Sequence, residues 1–372
     1  ITVNDDCDTE RLNISDATTL GWGLIKEETE DNDTTIYFSF ADDVQDQLYA
    51  LNYNDPTTLA FSLKINLLGN LELTKLNTNG DLVDGAVFTV KGPGYNGDVE
   101  VKNGRILLEK IKKGIYTITE KSVGTGYLIN TETYTAEVKP NKTTPQAIVN
   151  KEPTGELSLT KIDIDTGNNK RVDGTVHHGD ASLEGAVYTL YADEDIYNVK
   201  RTVKYFSAND PIATFTFNKN GVASVKIINT NTTANISVKG DKITGLPMGR
   251  FRCYETTVPN GYTQDTNTYK HTFTYKDAKT KVITLSGTVS NKVQKAPFEV
   301  IKVSSNNNTV TDVVEGAEFT AILTKYVQYY GSFDEALKHL DQYAKDEYSI
   351  FKTSSNGHGT SGLLAYRGLY SK

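Results

Sequence analysis

Short stretches of alternating apolar and polar residues recur along the chain, and they predict strands rather than helices. In Leu71-Glu72-Leu73-Thr74-Lys75 every second residue is apolar, which is the period of a strand with one buried face. The same pattern returns at Leu157-Ser158-Leu159-Thr160-Lys161 and at Phe298-Glu299-Val300-Ile301-Lys302. Clusters of Gly, Asn and Asp separate the strands, so the sequence predicts an all-β fold.

One phrase follows each of these three strands: Gly, Ala, one further residue, an aromatic residue and Thr. It reads Gly85-Ala86-Val87-Phe88-Thr89, then Gly185-Ala186-Val187-Tyr188-Thr189, then Gly316-Ala317-Glu318-Phe319-Thr320. In the first two copies a strand that ends in Glu and a strand that ends in Asn come later. Self-similarity of this kind indicates repeated structural units.

Two prolines mark the boundaries of the repeats, because Pro is a poor residue for a central strand. They are Pro153 and Pro297. The sequence therefore predicts tandem all-β sandwich domains. Their predicted ranges are 69–153, 154–296 with a long insertion over 191–242, and an incomplete 297–372. Residues 1–68 match none of the phrases and are interpreted as the end of a preceding β-rich domain of unknown type.

A short helix is predicted within the last repeat. Ser332 is a candidate N-cap, and Glu335 stands three residues later, as in a capping box. An apolar stripe at helical spacing continues beyond this cap. The stripe consists of Phe333, Leu337, Leu340 and Ala344.

Composition excludes several classes of protein. The 372 residues carry 39 Lys and Arg against 47 Asp and Glu, a net charge of −8, which argues against a nucleic-acid binder. No apolar stretch approaches the length of a membrane span. The adjacent His177 and His178 are expected in a solvated loop, and neither a metal nor a cofactor is expected. The chain begins at Ile1 without a signal-peptide pattern, so we expect a mature product or an excised segment.

The informative signal is a set of polar residues in register with the apolar faces. Residues i, i+2 and i+4 of a strand share a face, so these side chains are predicted to point into the core of their own domain. Lys302 has the same register in the third repeat. The residues of the two complete repeats are Lys75, Glu120 and Asn150 in the first and Lys161, Glu255 and Asn291 in the second.

Two explanations account for these buried polar residues, since an isolated buried charge costs several kcal/mol. One is a Lys–Glu ion pair with an Asn hydrogen-bonded beside it. The other is a reaction, because burial lowers the pKa of Lys and raises that of Glu, so a proton can pass between them. The protonated Glu would hydrogen-bond the Asn side-chain carbonyl, and the neutral amine would attack its carbon and release ammonia. We favour the reaction, because an ion pair does not explain the Asn that closes both complete repeats.

These phrases resemble the Cna B-type (SpaA-like) repeat domains of Gram-positive surface adhesins and sortase-assembled pilins, over roughly residues 69–372. The resemblance implies tandem Ig-like, transthyretin-like β-sandwich domains. It also implies an isopeptide bond from the Lys of the first strand to the Asn of the last, with the Glu of a Tyr-x-x-x-Glu-type box as the catalytic carboxylate. It makes Glu120 and Glu255 catalytic. Lys302 becomes an unpaired candidate, because no such Glu or Asn follows it in the sequence. The implied cross-links are Lys75–Asn150 and Lys161–Asn291.

The function expected from these features is structural. A cross-link from the first strand to the last locks both ends of a domain together without an oxidant, which suits an extracellular protein with only two Cys. We expect a stalk of a bacterial adhesin or pilus-like protein, located at the cell surface and anchored to the cell wall through a region outside this segment. Its expected partners are other subunits or domains of the same surface protein.

The alternative function is a ligand-binding adhesin domain. It would recognise a host matrix protein or glycan through residues 1–68 or through the insertion 191–242. Apart from the single-turnover cross-linking, no enzymatic activity is expected.

The two cysteines are expected to be inert. Some related adhesins carry a reactive Cys–Gln thioester, and Gln47 is within reach of Cys7 in sequence. The acidic neighbours of Cys7 would raise the pKa of its thiol, which favours an unreactive group. Cys253 shares the inward face with Glu255 and is predicted to be a buried free thiol.

Overall fold

The computed structural model describes residues 68–304, 313–366 and 369–371, together with the backbone of five strands nearer the N-terminus. The chain forms two compact units, residues 1–151 and residues 152–372. β1 pairs with β2, and β3, β4 and β5 form an antiparallel sheet. The five N-terminal strands are β1 (Thr2–Asn4), β2 (Thr9–Arg11), β3 (Trp22–Glu30), β4 (Asp33–Phe40) and β5 (Tyr49–Asn52).

Residues 68–150 fold into a first sandwich of two sheets. Half-exposed and buried residues alternate along the whole of its first strand, as the sequence predicts. One sheet has the order β12-β6-β9 and the other the order β11-β10-β7-β8. The strands are β6 (Leu68–Asn77), β7 (Val87–Gly92), β8 (Tyr95–Glu100), β9 (Arg105–Lys112), β10 (Gly114–Ser122), β11 (Thr133–Val138) and β12 (Thr143–Asn150).

Residues 154–291 fold into a second, larger sandwich. Its sheets have the orders β19-β20-β13-β23 and β18-β17-β14-β21-β22, and β15 pairs with β16 beside them. The strands are β13 (Thr154–Asp163), β14 (Val187–Ala192), β15 (Ile196–Tyr197), β16 (Lys204–Phe206), β17 (Pro211–Phe217), β18 (Ala223–Ile227), β19 (Ser237–Lys239), β20 (Lys242–Leu246), β21 (Gly249–Thr257), β22 (Tyr269–Phe273) and β23 (Val282–Asn291).

The long insertion 191–242 is largely part of this second sandwich. Its strand β17 pairs directly with β14 in the five-stranded sheet. Phe206, Phe215 and Phe217 from the insertion are buried in the same core as Leu157 and Leu159 of β13. The insertion therefore contributes core as well as surface.

Residues 295–371 contain short strands and the helices. β26 is central in a sheet of order β27-β26-β30, while β24 pairs with β29 and β25 with β28. A 3₁₀ turn covers Leu340–Gln342. The other elements are β24 (Lys295–Ala296), β25 (Glu299–Ile301), β26 (Glu318–Leu323), α1 (Thr324–Tyr330), α2 (Phe333–Leu337), β27 (Tyr348–Lys352), β28 (His358–Thr360), β29 (Leu364–Ala365) and β30 (Tyr370–Ser371).

The predicted helix cap is present, but the helix is shorter than its apolar stripe. The Ser332 hydroxyl accepts the backbone N–H of Glu335 at 3.1 Å, and α2 starts directly after it. The helix ends at Leu337 because the chain turns back there: the Tyr343 ring stacks on Tyr326 at 4.1 Å, and its hydroxyl donates to the Ala336 carbonyl at 2.9 Å. Neither described helix is long and apolar enough to cross a membrane.

The prediction of a solvated loop at the two histidines is wrong for His178, which is fully buried. The loop that joins β13 to β14 contacts Asp346 and Glu347 through His178 and Gly179. Its Nδ1 is 3.0 Å from Asp163 Oδ2, and its Nε2 is 2.8 Å from Asp346 Oδ1. Lys295 pairs with Asp346 at 2.5 Å and with Asp165 at 2.9 Å. Buried charges persist here because each has a partner of opposite sign.

Candidate functional site

The first candidate site lies in the core of the first sandwich. Lys75 Nζ is 3.4 Å from Glu120 Oε1, and both side chains are only 1% exposed. Asn150 Nδ2 donates to the other carboxylate oxygen, Oε2, at 2.8 Å. The structure thus brings the three predicted residues together around one carboxylate, with the amine on one oxygen and the amide on the other.

The second sandwich repeats this arrangement. Lys161 Nζ is 3.8 Å from Glu255 Oε1, and both side chains are 0% exposed. Asn291 Nδ2 donates to Glu255 Oε2 at 2.9 Å. The same oxygen atoms therefore face the same partners in both sandwiches.

The register of two parallel strands produces this geometry. β6 and β12 are parallel neighbours, and Lys75 lies opposite Ile148, two residues before Asn150. β13 and β23 are parallel neighbours too, and Lys161 lies opposite Val289, two residues before Asn291. Because residues two apart share a face, the Asn side chain enters the core beside the Lys side chain, one pleat further along.

Backbone groups fix the carboxylate and the amide in place. In the first site the Asn130 N–H donates to Glu120 Oε2 at 2.6 Å, and Asn150 Nδ2 also donates to the Leu128 carbonyl at 2.5 Å. In the second site the Asp265 N–H donates to Glu255 Oε2 at 2.6 Å, and Asn291 Nδ2 donates to the Thr263 carbonyl at 2.7 Å. The supporting residues follow the Glu at the same spacing in both sites.

Burial shifts the proton affinities in the direction that proton transfer needs. It lowers the pKa of Lys75 despite the opposing pull of Glu120, and it lowers the pKa of Lys161 to about 8. Burial also raises the pKa of Glu255. An ammonium and a carboxylate are both less favourable in a core than in water, so the neutral amine and the neutral acid become more accessible.

The contact between Glu and Asn differs in one respect from the sequence-based expectation. The sequence-based mechanism has the Glu hydrogen-bond the Asn carbonyl oxygen, whereas in both sites of the structure the Glu accepts from the amide nitrogen. A carboxylic acid in this place is positioned to protonate the nitrogen that would leave as ammonia in the expected reaction. The carboxyl group can therefore take a proton from the lysine and deliver one to the departing group.

Two residues around the second lysine were not identified from the sequence. The Lys161 ammonium donates to the Tyr188 hydroxyl at 2.7 Å, and that hydroxyl donates to Asp265 Oδ2 at 2.7 Å. The sequence marks Tyr188 only as the aromatic residue of the repeated phrase. Asp265 stands ten residues after Glu255, as Asn130 does after Glu120, and this spacing was the available signal.

The predicted inward direction of Lys302 is wrong, since the side chain is exposed. β25 is three residues long and pairs with β28 alone among the described strands, whereas β6 is flanked on both sides by β9 and β12. Phe298 and Ile301 beside it are also exposed. The lysine therefore has no enclosed core to enter within the part of the chain that the structure describes.

Cys253 is buried, as predicted. Its Sγ is 3.4 Å from His271 Nε2, and burial raises the pKa of the thiol to about 12. Cys7 and Gln47 lie outside the described residues.

One cluster has ligand types that could suit a metal ion. The ligand atoms of Asp163, Asp165 and His178 lie within 4.8 Å of one another. Both His178 nitrogens face carboxylates, and the Lys295 ammonium pairs with Asp165. These contacts describe a network of ion pairs inside the protein, in which protein cations already neutralise the carboxylates.

Comparison with known proteins agrees with the fold described above. Residues 69–152 match the family described as "SpaA: Prealbumin-like fold domain", which confirms the SpaA-like, prealbumin-like class predicted for the first sandwich. No similar sequence was found among curated proteins.

Among solved structures the chain is similar to the Bacillus anthracis TIE protein, with 21% identity and a TM-score of 0.52. That match covers 91% of this chain and 52% of the other, so this chain spans about half the length of that one. A Streptococcal ancillary pilin matches at 16% identity and a TM-score of 0.24, over 72% of this chain and 80% of the pilin. BcpA, the major pilin subunit of Bacillus cereus, matches at 13% identity and a TM-score of 0.26, over 81% and 94%.

Proposed function

We propose that residues 68–371 belong to the stalk of a bacterial cell-surface protein of the adhesin or pilus type, and that two of its domains cross-link themselves. The proposed bonds are amides between Lys75 and Asn150 and between Lys161 and Asn291. The observation that carries the proposal is the repeated arrangement of amine, carboxylate and amide, buried in the same register in both sandwiches. An ion pair with a hydrogen-bonded Asn could account for one such site, and the recurrence of the same three residues in the same register in both domains favours the reaction.

The reaction balances without an outside reagent. The Glu carboxylate takes a proton from the Lys ammonium, which leaves a neutral amine and a carboxylic acid. The amine nitrogen attacks Asn Cγ, the acid protonates Nδ2, the Cγ–Nδ2 bond breaks, and the attacking nitrogen returns one proton to the carboxylate. The products are a secondary amide, one ammonia and a protonated Glu, which then loses its proton to ammonia or water. Positioning of this quality lowers the barrier by roughly 7–11 kcal/mol.

A bond at these positions would constrain the unfolded chain strongly. The Lys75–Asn150 bond closes a loop of 75 residues, and the Lys161–Asn291 bond a loop of 130 residues. By analogy with disulfides, each should stabilise its domain by about 4–5 kcal/mol. Because this stabilisation needs no oxidant, it suits a protein that works outside the cell. We propose that location for this protein.

The proposed partners are the other domains and subunits of the same surface protein. The match of residues 69–152 to the SpaA family supports this role. Anchoring to the cell wall and recognition of a host ligand would then belong to other parts of that protein.

Intact mass spectrometry of the full chain tests the cross-links. We expect a mass below the sequence value by two ammonia molecules, and tryptic peptides that join Lys75 to Asn150 and Lys161 to Asn291. Lys75→Arg should restore one ammonia, whereas Lys110→Arg at an exposed position should restore none. A wild-type mass equal to the sequence value would leave the ion-pair explanation.

A further inference from the structure

The second site contains a chain of hydrogen bonds that the first site does not have. It runs from Lys161 Nζ to the Tyr188 hydroxyl at 2.7 Å and from that hydroxyl to Asp265 Oδ2 at 2.7 Å. The Tyr269 hydroxyl donates to the same oxygen at 2.8 Å. Tyr188 is fully buried and Asp265 nearly so. Two phenol donors on one oxygen, with Asn267 donating to the other, keep this buried carboxylate charged.

The direction of these bonds fixes the role of the tyrosine. A phenol has a single proton, and Tyr188 gives it to Asp265. Its oxygen can therefore only accept from Lys161 Nζ. One N–H bond of the lysine is held in this way in both the charged and the neutral form, and holding it restricts the direction in which the lone pair of the neutral amine can point.

In the first site other groups contact the lysine amine. Lys75 Nζ donates to the Ile148 carbonyl at 3.2 Å, on the strand that carries Asn150. The residue equivalent to Tyr188 is Phe88, whose ring centroid lies 5.7 Å from Nζ. The residue equivalent to Asp265 is the neutral Asn130, whose backbone N–H holds Glu120 in the same way. The phenol and the carboxylate therefore occur together in one site and are absent together from the other.

We propose that Tyr188 orients the attacking amine of the second cross-linking site and that Asp265 is a positioning residue, which holds Tyr188 as an acceptor and sets the charge around the reacting groups. This inference rests on the proposed cross-linking function and extends it. It predicts that the two domains of one chain form their bonds with different dependences on pH.

The sign of the difference follows from the charge of Asp265. The negative charge of Asp265 raises the pKa of both Lys161 and Glu255; it opposes the effect of burial on the lysine and adds to the effect of burial on the glutamate. The reactive form of the site is a neutral Lys161 amine with a neutral Glu255 acid. It exists at pH values between the two pKa values of the pair, so the rate of cross-linking should depend on pH as a bell-shaped curve. Removal of the anion should shift both limbs of that profile to lower pH. The titratable groups around Asp265 are Lys161 on β13, Tyr188 on β14, Cys253 and Glu255 on β21 and Tyr269 on β22.

Exchange of residues between the two sites tests the proposal, with the first domain as an internal control. The full chain is synthesised in a cell-free system during a short pulse and diluted into buffers from acidic to alkaline pH. At successive times it is quenched in denaturant, and both branched peptides are quantified by mass spectrometry. Resistance of the second domain to trypsin in parallel samples shows when that domain has folded.

The variants are Tyr188→Phe, which installs the residue of the first site, and Asp265→Asn, which installs the neutral residue of the first site. Tyr188→Phe should slow the Lys161–Asn291 bond by about tenfold or more after folding, the cost of one lost orienting hydrogen bond. Asp265→Asn should shift the pH profile of that bond to lower values. In both variants the Lys75–Asn150 bond should form at the wild-type rate.

Two negative results have different meanings. A wild-type chain that loses no ammonia overturns the proposed cross-linking, and this inference with it. Two complete cross-links, with the rate and pH profile of the second unchanged in both variants, overturn only the roles of Tyr188 and Asp265.

Discussion

Asn77 and Asp163 occupy equivalent positions in the two sandwiches, each two residues after the buried lysine of its strand. In both residues Oδ1 accepts two backbone N–H groups of the following turn. The amide nitrogen of Asn77 donates to the neighbouring Asp81, whereas the second oxygen of Asp163 faces His178. A turn residue shared by both sandwiches thus carries, in the second one, a charge that binds a histidine and, through it, Asp346.

His178 should make the stability of residues 152–372 depend on pH. Burial opposes its charging, but the bonds to Asp163 and Asp346 raise its pKa to about 9. The ordinary value is 6.5, so the stabilisation is complete below about pH 6.5 and is lost as the pH rises through 9. At neutral pH it amounts to about 2–3 kcal/mol.

Chemical denaturation of the full chain at several pH values checks this expectation. His178→Asn should lower the free energy of unfolding at neutral pH and flatten its dependence between about pH 6.5 and 9. His177→Asn, at the half-exposed neighbour, is the matched control and should behave like the wild type. An unchanged pH slope in His178→Asn would contradict the role assigned to this ion pair.

Removal of one of the two proposed catalytic carboxylates should abolish one cross-link and spare the other. Glu120→Ala should restore a single ammonia to the mass and lower the melting temperature and trypsin resistance of the first sandwich, since about 4–5 kcal/mol of stabilisation from loop closure is lost. Glu255→Ala should do the same in the second sandwich. Both changes are read by intact mass and calorimetry.

Two control variants distinguish the effect of losing the cross-link from the effect of losing a carboxylate charge. Glu137→Ala removes an exposed carboxylate paired with Lys139 and should leave both cross-links complete. Asn150→Ala removes the bond but keeps the Lys75–Glu120 ion pair, so it reports loss of the bond without an unpaired buried lysine. Full cross-linking in Glu120→Ala would show that another group carries the proton.

Acetylation should distinguish the three lysines of the repeats. Lys302 is exposed and should react in the folded chain, and Lys110, at another exposed position, should react in the same way. Lys75 and Lys161 should remain unmodified in the folded chain and, if cross-linked, after denaturation as well. Peptide mapping of both samples gives the result. A branched peptide that contains Lys302 would overturn its assignment as a free amine.

Cys253 should be inert towards thiol reagents until the second sandwich unfolds. Burial raises the pKa of its thiol to about 12, and the thiolate is the reactive form. Labelling with a maleimide followed by peptide mapping should find Cys253 modified only in denaturant. Modification in the folded chain at neutral pH would mean that the core opens locally around β21.

The sequence predicts the fold class and the three members of each site because strand periodicity shows which side chains share one face of a strand. Lys75 and Asn150 could be assigned to the same core from their spacing to Leu73 and Ile148. Lys302 follows the same pattern and is exposed, since a pattern shows which face a residue shares but not whether a second sheet covers that face. Periodicity therefore predicts burial only where the sandwich is closed.

The residues that the sequence missed are fixed by long-range packing. His178 lies in an irregular loop, and its burial depends on Asp346, 168 residues away. Asp265 lies in the loop between β21 and β22, where no periodicity indicates which side chains turn inward. The hydrogen bonds of Tyr188 to Lys161 and Asp265 likewise depend on contacts between elements that are far apart in sequence.

The parallel pairing of first and last strands has a consequence for how such domains vary. When the two ends of a domain are pulled apart, parallel neighbours slide along each other, so the load falls on all their hydrogen bonds at once. With the proposed bond in place, an applied force would pass along β13 to Lys161 and through the bond to Asn291. The residues between Lys161 and Asn291 would then carry none of that force. The insertion 191–242 lies wholly inside that unloaded span. A domain of this design can acquire long insertions, and any surface they present, while its tensile strength stays the same.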